Sequence, residues 1–226
     1  FFNLAAFTAG HDDLILRGNG PGFVRVPEKL FAFYERFRPR KGAWQLYGNA
    51  RVAAEGLDGI DSPAFSAFGE ANYFFNDDLS VFTGLFARYN PDWLLWRGEN
   101  LLGTFRERTL QLDTGLNWII GSKQELRIKM QALGLDAVHE RAWRVAADGT
   151  PVPSLETVDD FSLRNMGFQI RYRYELAPLS NLFIVYARGG NAFDEFSTGA
   201  EQQLVDSFSL RDDEQLLVKL SYRFEI

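Results

Sequence analysis

Cysteine is absent from this chain of 226 residues, which excludes disulfides, thiolate metal sites and a cysteine nucleophile. Histidine is scarce: His11 and His139 are the whole supply. No apolar run reaches the roughly 18 residues that a membrane-spanning helix needs. Lys and Arg are dispersed along a chain of net charge −6, so no basic footprint for nucleic acid stands out. No initiator Met, charged n-region or small-residue cleavage site marks the start. Phe1-Phe2-Asn3-Leu4 already reads as strand. The expectation is one domain over 1–226 that lacks an upstream signal peptide and N-terminal region.

What is present is alternation with period two. In 44–55, Trp44, Leu46, Gly48, Ala50, Val52 and Ala54 oppose Gln45, Tyr47, Asn49, Arg51 and Glu55. The same design recurs in 110–120, 126–132, 166–174 and 218–226. Weaker strands are predicted near 1–9, 29–38, 64–75, 79–89 and 181–188. The segment 79–89 is ambiguous, because Phe82 and Phe86 oppose Leu79, Val81 and Leu85. About ten strands result. Short turns are predicted near 39–42, 76–78, 121–124 and 176–180, and longer connections near 10–28, 56–63, 90–108, 134–160 and 189–213. A short helix is a further reading of Ala137–Trp143.

These features predict an all-β fold, an antiparallel up-and-down transmembrane β-barrel of about ten strands, complete in itself or part of a larger barrel. The location expected is the outer membrane of a Gram-negative bacterium. Short periplasmic turns and long outer loops are the habit of such barrels, and strand parity then puts the C-terminus in the periplasm. A soluble barrel or sandwich also alternates. Two features favour the membrane. Trp44, Tyr73, Phe75, Trp118, Tyr172, Tyr174, Phe183 and Phe224 lie near the short turns or the C-terminus, as a periplasmic-side aromatic girdle would. Arg51, Glu55, Glu70, Asp113, Arg127, Lys129, Arg171, Arg173, Lys219, Arg223 and Glu225 gather on the polar face, as lumen-facing charges would. Facing lipid at the midplane, each Arg or Lys would cost ~2–4 kcal/mol. An open sheet edge is not viable in hydrocarbon, which argues for closure.

The ending Leu217-Val-Lys-Leu-Ser-Tyr-Arg-Phe-Glu-Ile226 resembles the C-terminal signal read by the barrel assembly machinery, with Leu220, Tyr222, Phe224 and Ile226 as the signal residues. Ile226 stands where that signal usually has Phe. Tyr172-Arg-Tyr-Glu-Leu-Ala-Pro-Leu-Ser-Asn-Leu-Phe-Ile-Val-Tyr186 and Leu217–Phe224, with Asn72–Asp78 less specifically, resemble the C-terminal barrel of a family of uncharacterised bacterial outer-membrane proteins. The N-terminal part of that family resembles a carbohydrate-binding module of the family-nine type. The resemblance implies that this module is absent here, and it supplies no catalytic residues.

Candidate chemistry is sparse. His11 has Asp12 and Asp13 beside it, and His139 has Asp136 and Glu140 nearby, all in predicted outer loops. Omptin-type proteases use Asp and His at such a rim, but the Asp-x-His spacing is missing. Two distant histidines make a poor transition-metal site. Asp58-Gly-Ile-Asp61, Asp159-Asp160 and Asp212-Asp213 lack the spacing of a known calcium loop. Gly18-Asn-Gly-Pro-Gly22 lacks the Lys-Ser and helix of a phosphate loop. No catalytic, metal or cofactor residue is therefore assigned, and the enzyme reading leans to no.

The expected role is a membrane anchor or scaffold for a periplasmic or surface partner or domain. The alternatives are a channel or transporter for small solutes, saccharides among them, and a surface hydrolase at the outer rim. The lumen set holds seven cations against four acids, which favours anions if the lumen is open. A barrel of ten strands would be plugged by its side chains, and a larger one open. The partners expected are outer-membrane lipid and lipopolysaccharide, the assembly machinery, and a protein at the apolar loop 90–108, with no nucleic acid.

Overall fold

The computed structural model describes residues 1–224. In chain order the elements are β1 (Phe2–Phe7), β2 (Gly10–Asp12), β3 (Val24–Val26), β4 (Lys29–Lys41), β5 (Trp44–Ala53), β6 (Ala64–Phe74), β7 (Leu79–Gly98), β8 (Leu101–Ile120), β9 (Gln124–Val145), β10 (Pro151–Ser154), β11 (Phe161–Ala177), β12 (Ser180–Asp194), α1 (Ala200–Ser207) and β13 (Asp213–Ser221). A single turn of 3-10 helix, Gly59–Asp61, lies between β5 and β6. The fold is all-β and antiparallel. Strands run in the order β1-β4-β5-β6-β7-β8-β9-β11-β12-β13, with β10 added beside β9 and β2-β3 forming a separate hairpin.

Apart from the small β2-β3 hairpin and the short β10, each strand pairs with the next along the chain, so the sheet is a meander. Two residues, Gly42 and Ala43, join β4 to β5, and Gly42 takes φ 61° to make the reversal. Asn76 turns the chain between β6 and β7 by accepting the Asp78 and Leu79 amides at 2.9 and 2.7 Å. Residues 121–123 and 178–179 make the other two turns at this end. The segments 8–28, 54–63, 146–160 and 195–212 all connect strands at the opposite end, and β13 runs back to the short-turn end.

Three expectations need correction. Among the described residues the sheet does not close: β1 pairs only with β4 and β13 only with β12, which leaves two free edges. Segment 90–108 is not a loop. β7 and β8 run through it, each 20 residues long, and turn at Glu99-Asn100. Segment 134–160 is largely strand as well, and Ala137–Trp143 lies inside β9 rather than in a helix. The apolar period breaks in both segments because bulges interrupt it, between Asn90 and Trp93 on β7 and at Glu140 on β9, opposite the Thr104/Phe105 step of β8. Helix enters instead at α1, in the connection 195–212.

Register assigns the faces, because residues directly opposite in an antiparallel pair point the same way. Trp44, Tyr73, Val81, Leu116, Ile128, Ile170, Tyr186 and Leu216 form one continuous row across eight strands. Val218 and Leu220 continue this apolar face on β13, 63% and 62% exposed, and Leu85 on β7 is 60% exposed. The core lies at the long-connection end. There Leu16 and Val24 pack on Leu102 and Val145, and Phe105, Phe161, Ala137, Ala142 and Val158 form a second cluster. α1 caps the apolar face at that end only. A Cβ on Gly134 would sit 2.3 Å from the Ala200 carbonyl oxygen, so only glycine admits the helix so close.

Candidate functional site: the polar face of the sheet

The opposite face carries the predicted charges. Its rows run Tyr47–Glu70–Gly84–Asp113–Gln131–Gly167–Gly189 and Asn72–Phe82–Gly115–Lys129–Gln169–Ala187. Arg51, Arg127, Arg171, Arg173 and Lys219 fall on the same side. The Glu55 carboxylate reaches this face to meet Arg51 at 2.8 Å. Arg223 lies beyond β13, where its backbone N–H donates to the Ser180 hydroxyl at 3.0 Å. Glu225 and Ile226 lie outside the described residues.

The face divides into three zones. At the long-connection end, Glu55 takes Arg51 and Arg88, and Asn90 donates to it at 3.1 Å. Arg88 also meets Glu107 at 3.2 Å, and Thr109 donates to the same carboxylate. The Glu107 side chain is only 2% exposed, so its charge depends on Arg88 and on this hydroxyl. Arg88, Glu107 and Thr109 were not among the predicted lumen residues. An acid flanked by Arg106 and Arg108 resembles a solvated loop, and only the tertiary register reveals that it stands on the polar face.

The middle zone is aromatic and amide-rich. Phe68, Phe82 and Phe86 all stand on the polar face, which settles the ambiguity of 79–89. The rings need glycine beneath them: a Cβ on Gly115 would lie 2.5 Å from Phe82 and one on Gly84 3.0 Å from Phe68. Gln111 and Gln131 donate to the two oxygens of Asp113 at 2.7 and 2.8 Å, and Asn72 donates to Glu70 at 2.8 Å. Between these side chains runs a groove of about 710 Å³, lined by Phe68, Glu70, Phe82, Asp113, Lys129 and Gln131 among others.

The third zone, at the short-turn end, is basic. Arg127 and Arg171 are direct cross-strand partners. Glu125 pairs with Arg127 and, at 3.3 Å, with Arg173. Among the described residues no carboxylate pairs with Lys129, Arg171 or Lys219.

Of the predicted girdle, Trp44, Tyr73, Trp118, Tyr172 and Tyr174 stand on the apolar face near the short turns. Trp44 and Tyr73 meet edge to face at 4.8 Å, as do Tyr73 and Phe75. Phe183 is a correction. It opposes Arg173 and Lys219 on the polar face, and the Arg171 guanidinium lies 5.5 Å from its ring centroid. β12 has a single-residue phase that sequence position alone does not show. Phe224 lies past β13, 5.0 Å from Tyr222 ring to ring. Arg36 and Arg38 are exposed exceptions on the apolar face of β4, opposite Gly48 and Leu46.

Among the described residues no carboxylate pairs with either histidine ring. His11 sits in β2 with its ring edge-on to Phe23 at 5.1 Å. The His139 ring packs on Phe105 at 5.6 Å, and its buried Nε2 meets no hydrogen-bond partner. Asp136 instead accepts the Thr198 and Gly199 amides at 3.1 and 3.0 Å, and Glu140 pairs with Arg106 at 3.3 Å. Asp58 holds Arg141, and Asp212 accepts the Asn191 amide at 2.8 Å. Among the described residues no three His, Cys, Asp or Glu side chains gather as a metal site.

No family model matches the chain, and no curated protein matches it. A solved structure to which it is similar is BauA, the ferric preacinetobactin receptor of Acinetobacter baumannii, at 9% identity and a TM-score of 0.38, over 97% of this chain and 40% of that one. The chain thus spans about two fifths of that receptor's length.

Proposed function

We propose that this chain is a section of an outer-membrane β-barrel, with its apolar face against lipid, its polar face toward the lumen and its short turns in the periplasm. The observation that carries the reading is an exposed apolar face on a sheet whose other face is charged and hydrogen-bonded. In water such a face needs a second layer, and α1 covers one end of it alone. Lipid supplies the missing layer. Arg36 and Arg38 fit near the periplasmic headgroups, which their long side chains reach by snorkelling. The free edges of β1 and β13 are completed by further strands, as hydrocarbon requires.

The role we propose for it is an anchor that holds a periplasmic or surface domain or partner. The apolar side chains of 90–108 do not offer that partner a free patch: Trp93 packs against the Phe105 cluster, and Trp96 against the Leu16 cluster. A second reading, solute passage, is favoured by the unfilled groove of about 710 Å³ on the polar face of an open sheet. Because this chain has no cysteine, single cysteines placed in it provide the test, once any cysteine elsewhere in the full-length protein is replaced. In outer membranes carrying the full-length protein, Lys129→Cys should react with a small membrane-impermeant thiol reagent, and Ile128→Cys should not. Equal reaction at both positions would defeat the membrane assignment. Planar-bilayer conductance by the same protein separates channel from anchor.

A further inference from the structure

The basic zone is an electrostatically unsatisfied arrangement. Arg127 and Arg171 face each other directly across β9 and β11, with Lys129 and Arg173 one step along the same face. Like charges placed directly opposite destabilise a sheet. Glu125 is the carboxylate that pairs within this group, and it serves Arg127 and Arg173. That leaves Arg171, Lys129 and Lys219 without an anionic partner among the described residues. Arg171 and Lys219 line one groove of about 260 Å³ together with Gln169, Phe183, Val185 and Leu217. The floor is therefore apolar and aromatic, while the rim is cationic. Phe183 braces the Arg171 guanidinium by a cation–π contact at 5.5 Å, which holds that charge over the floor.

We propose that this groove binds a small organic anion: an oxyanion group held by Arg171 and Lys219, with an apolar body lying on Phe183, Val185 and Leu217. Gln169 adds an amide donor at the rim. Each half of the ligand has its counterpart. A carboxylate or phosphate relieves the cationic repulsion through charge-assisted hydrogen bonds, and a flat apolar group covers the part of the Phe183, Val185 and Leu217 floor that the Arg171 guanidinium does not. The inference rests on the polar face being water-filled, but its test needs no membrane.

The full-length protein in nonionic detergent is titrated calorimetrically with 2-naphthoate, with its neutral analogue 2-naphthamide, and with inorganic phosphate. Binding of 2-naphthoate at least about tenfold tighter than either control is expected. Arg171→Gln and Lys219→Gln should each weaken it about tenfold, whereas Lys123→Gln, in the turn before β9, should leave it unchanged. Equal binding of the amide would remove the charge from the argument and overturn the proposal. So would equal binding of phosphate, which would remove the apolar floor, or unchanged binding in both groove variants. If Arg171→Gln does not fold, Lys219→Gln on the edge strand carries the test. The thiol-reactivity experiment reads membrane placement independently, so a failure here and a failure there are distinguishable.

Discussion

At the residue scale, the energetic weight falls on buried charge. Glu107 is nearly inaccessible and depends on Arg88. Arg88→Ala leaves that carboxylate unpaired and should cost about 3–5 kcal/mol, read as a shift in the urea unfolding midpoint in micelles. The double variant Arg88→Met, Glu107→Leu should recover most of the loss, because it removes both charges together. The two faces give a second residue-scale prediction. Leu85→Arg on the exposed apolar face, four residues further from the short turn than Val81, should cost ~2–4 kcal/mol in lipid. Ser80→Arg on the polar face should stay within about 0.5 kcal/mol. Refolding into vesicles measures both, and equal costs would contradict the assignment of faces. Most of the polar-face charges were legible as residues, since alternation alone sorts Arg127, Lys129 and Arg171 from Ile128 and Ile170. Glu107 was not, because its burial and its pairing with Arg88 of β7 depend on the tertiary register.

At the element scale, the long-connection end is held by local pairs. Arg144 of β9 donates to both oxygens of Glu156 at 2.6 Å, and Asp148 accepts the Thr150 amide and hydroxyl at 3.1 and 2.9 Å. The hydrogen bonds from Arg144 lower the Glu156 pKa below its ordinary value, and those from Thr150 lower that of Asp148. A depressed folded-state pKa stabilises above the unfolded value and loses its contribution as pH falls through the folded one. The β9–β10 hairpin should therefore keep its order at neutral pH and loosen below the usual carboxylate range. Amide hydrogen exchange at Val152 and Trp143 across pH 7 to 3 measures this, and protection that rises on acidification would contradict it. α1 makes a separate test. Gly134→Val should lift the helix and cost about 1–3 kcal/mol by overpacking, with faster exchange confined to 200–207. The strand cores of β5, β8, β9 and β11 were readable from period two. The outer halves of β7, β8 and β9 were not, because bulges shift the phase there and two-sided packing replaces alternation.

At the scale of the whole molecule, the two free edges dominate. β13 offers one row of unpaired amides and carbonyls and β1 another. Ten strands that have not met leave room for more, and a closed barrel is the arrangement that satisfies such edges in a membrane. The full-length protein should therefore migrate differently on gels before and after boiling, as closed barrels do, and the isolated 226-residue chain should not. Heat-sensitive migration by the isolated chain would show that these strands close by themselves.

Alternation by itself determined an antiparallel all-β sheet, its two faces and the positions of the short turns, because each of these is a local property of residues two or three apart. Tertiary structure decided what depends on distant pairing. It set the phase of Phe82, Phe86 and Phe183, the burial of Glu107, and the ends of β7 to β9. It also left the sheet open, since closure rests on whether the first and last strands meet, and no local period records that.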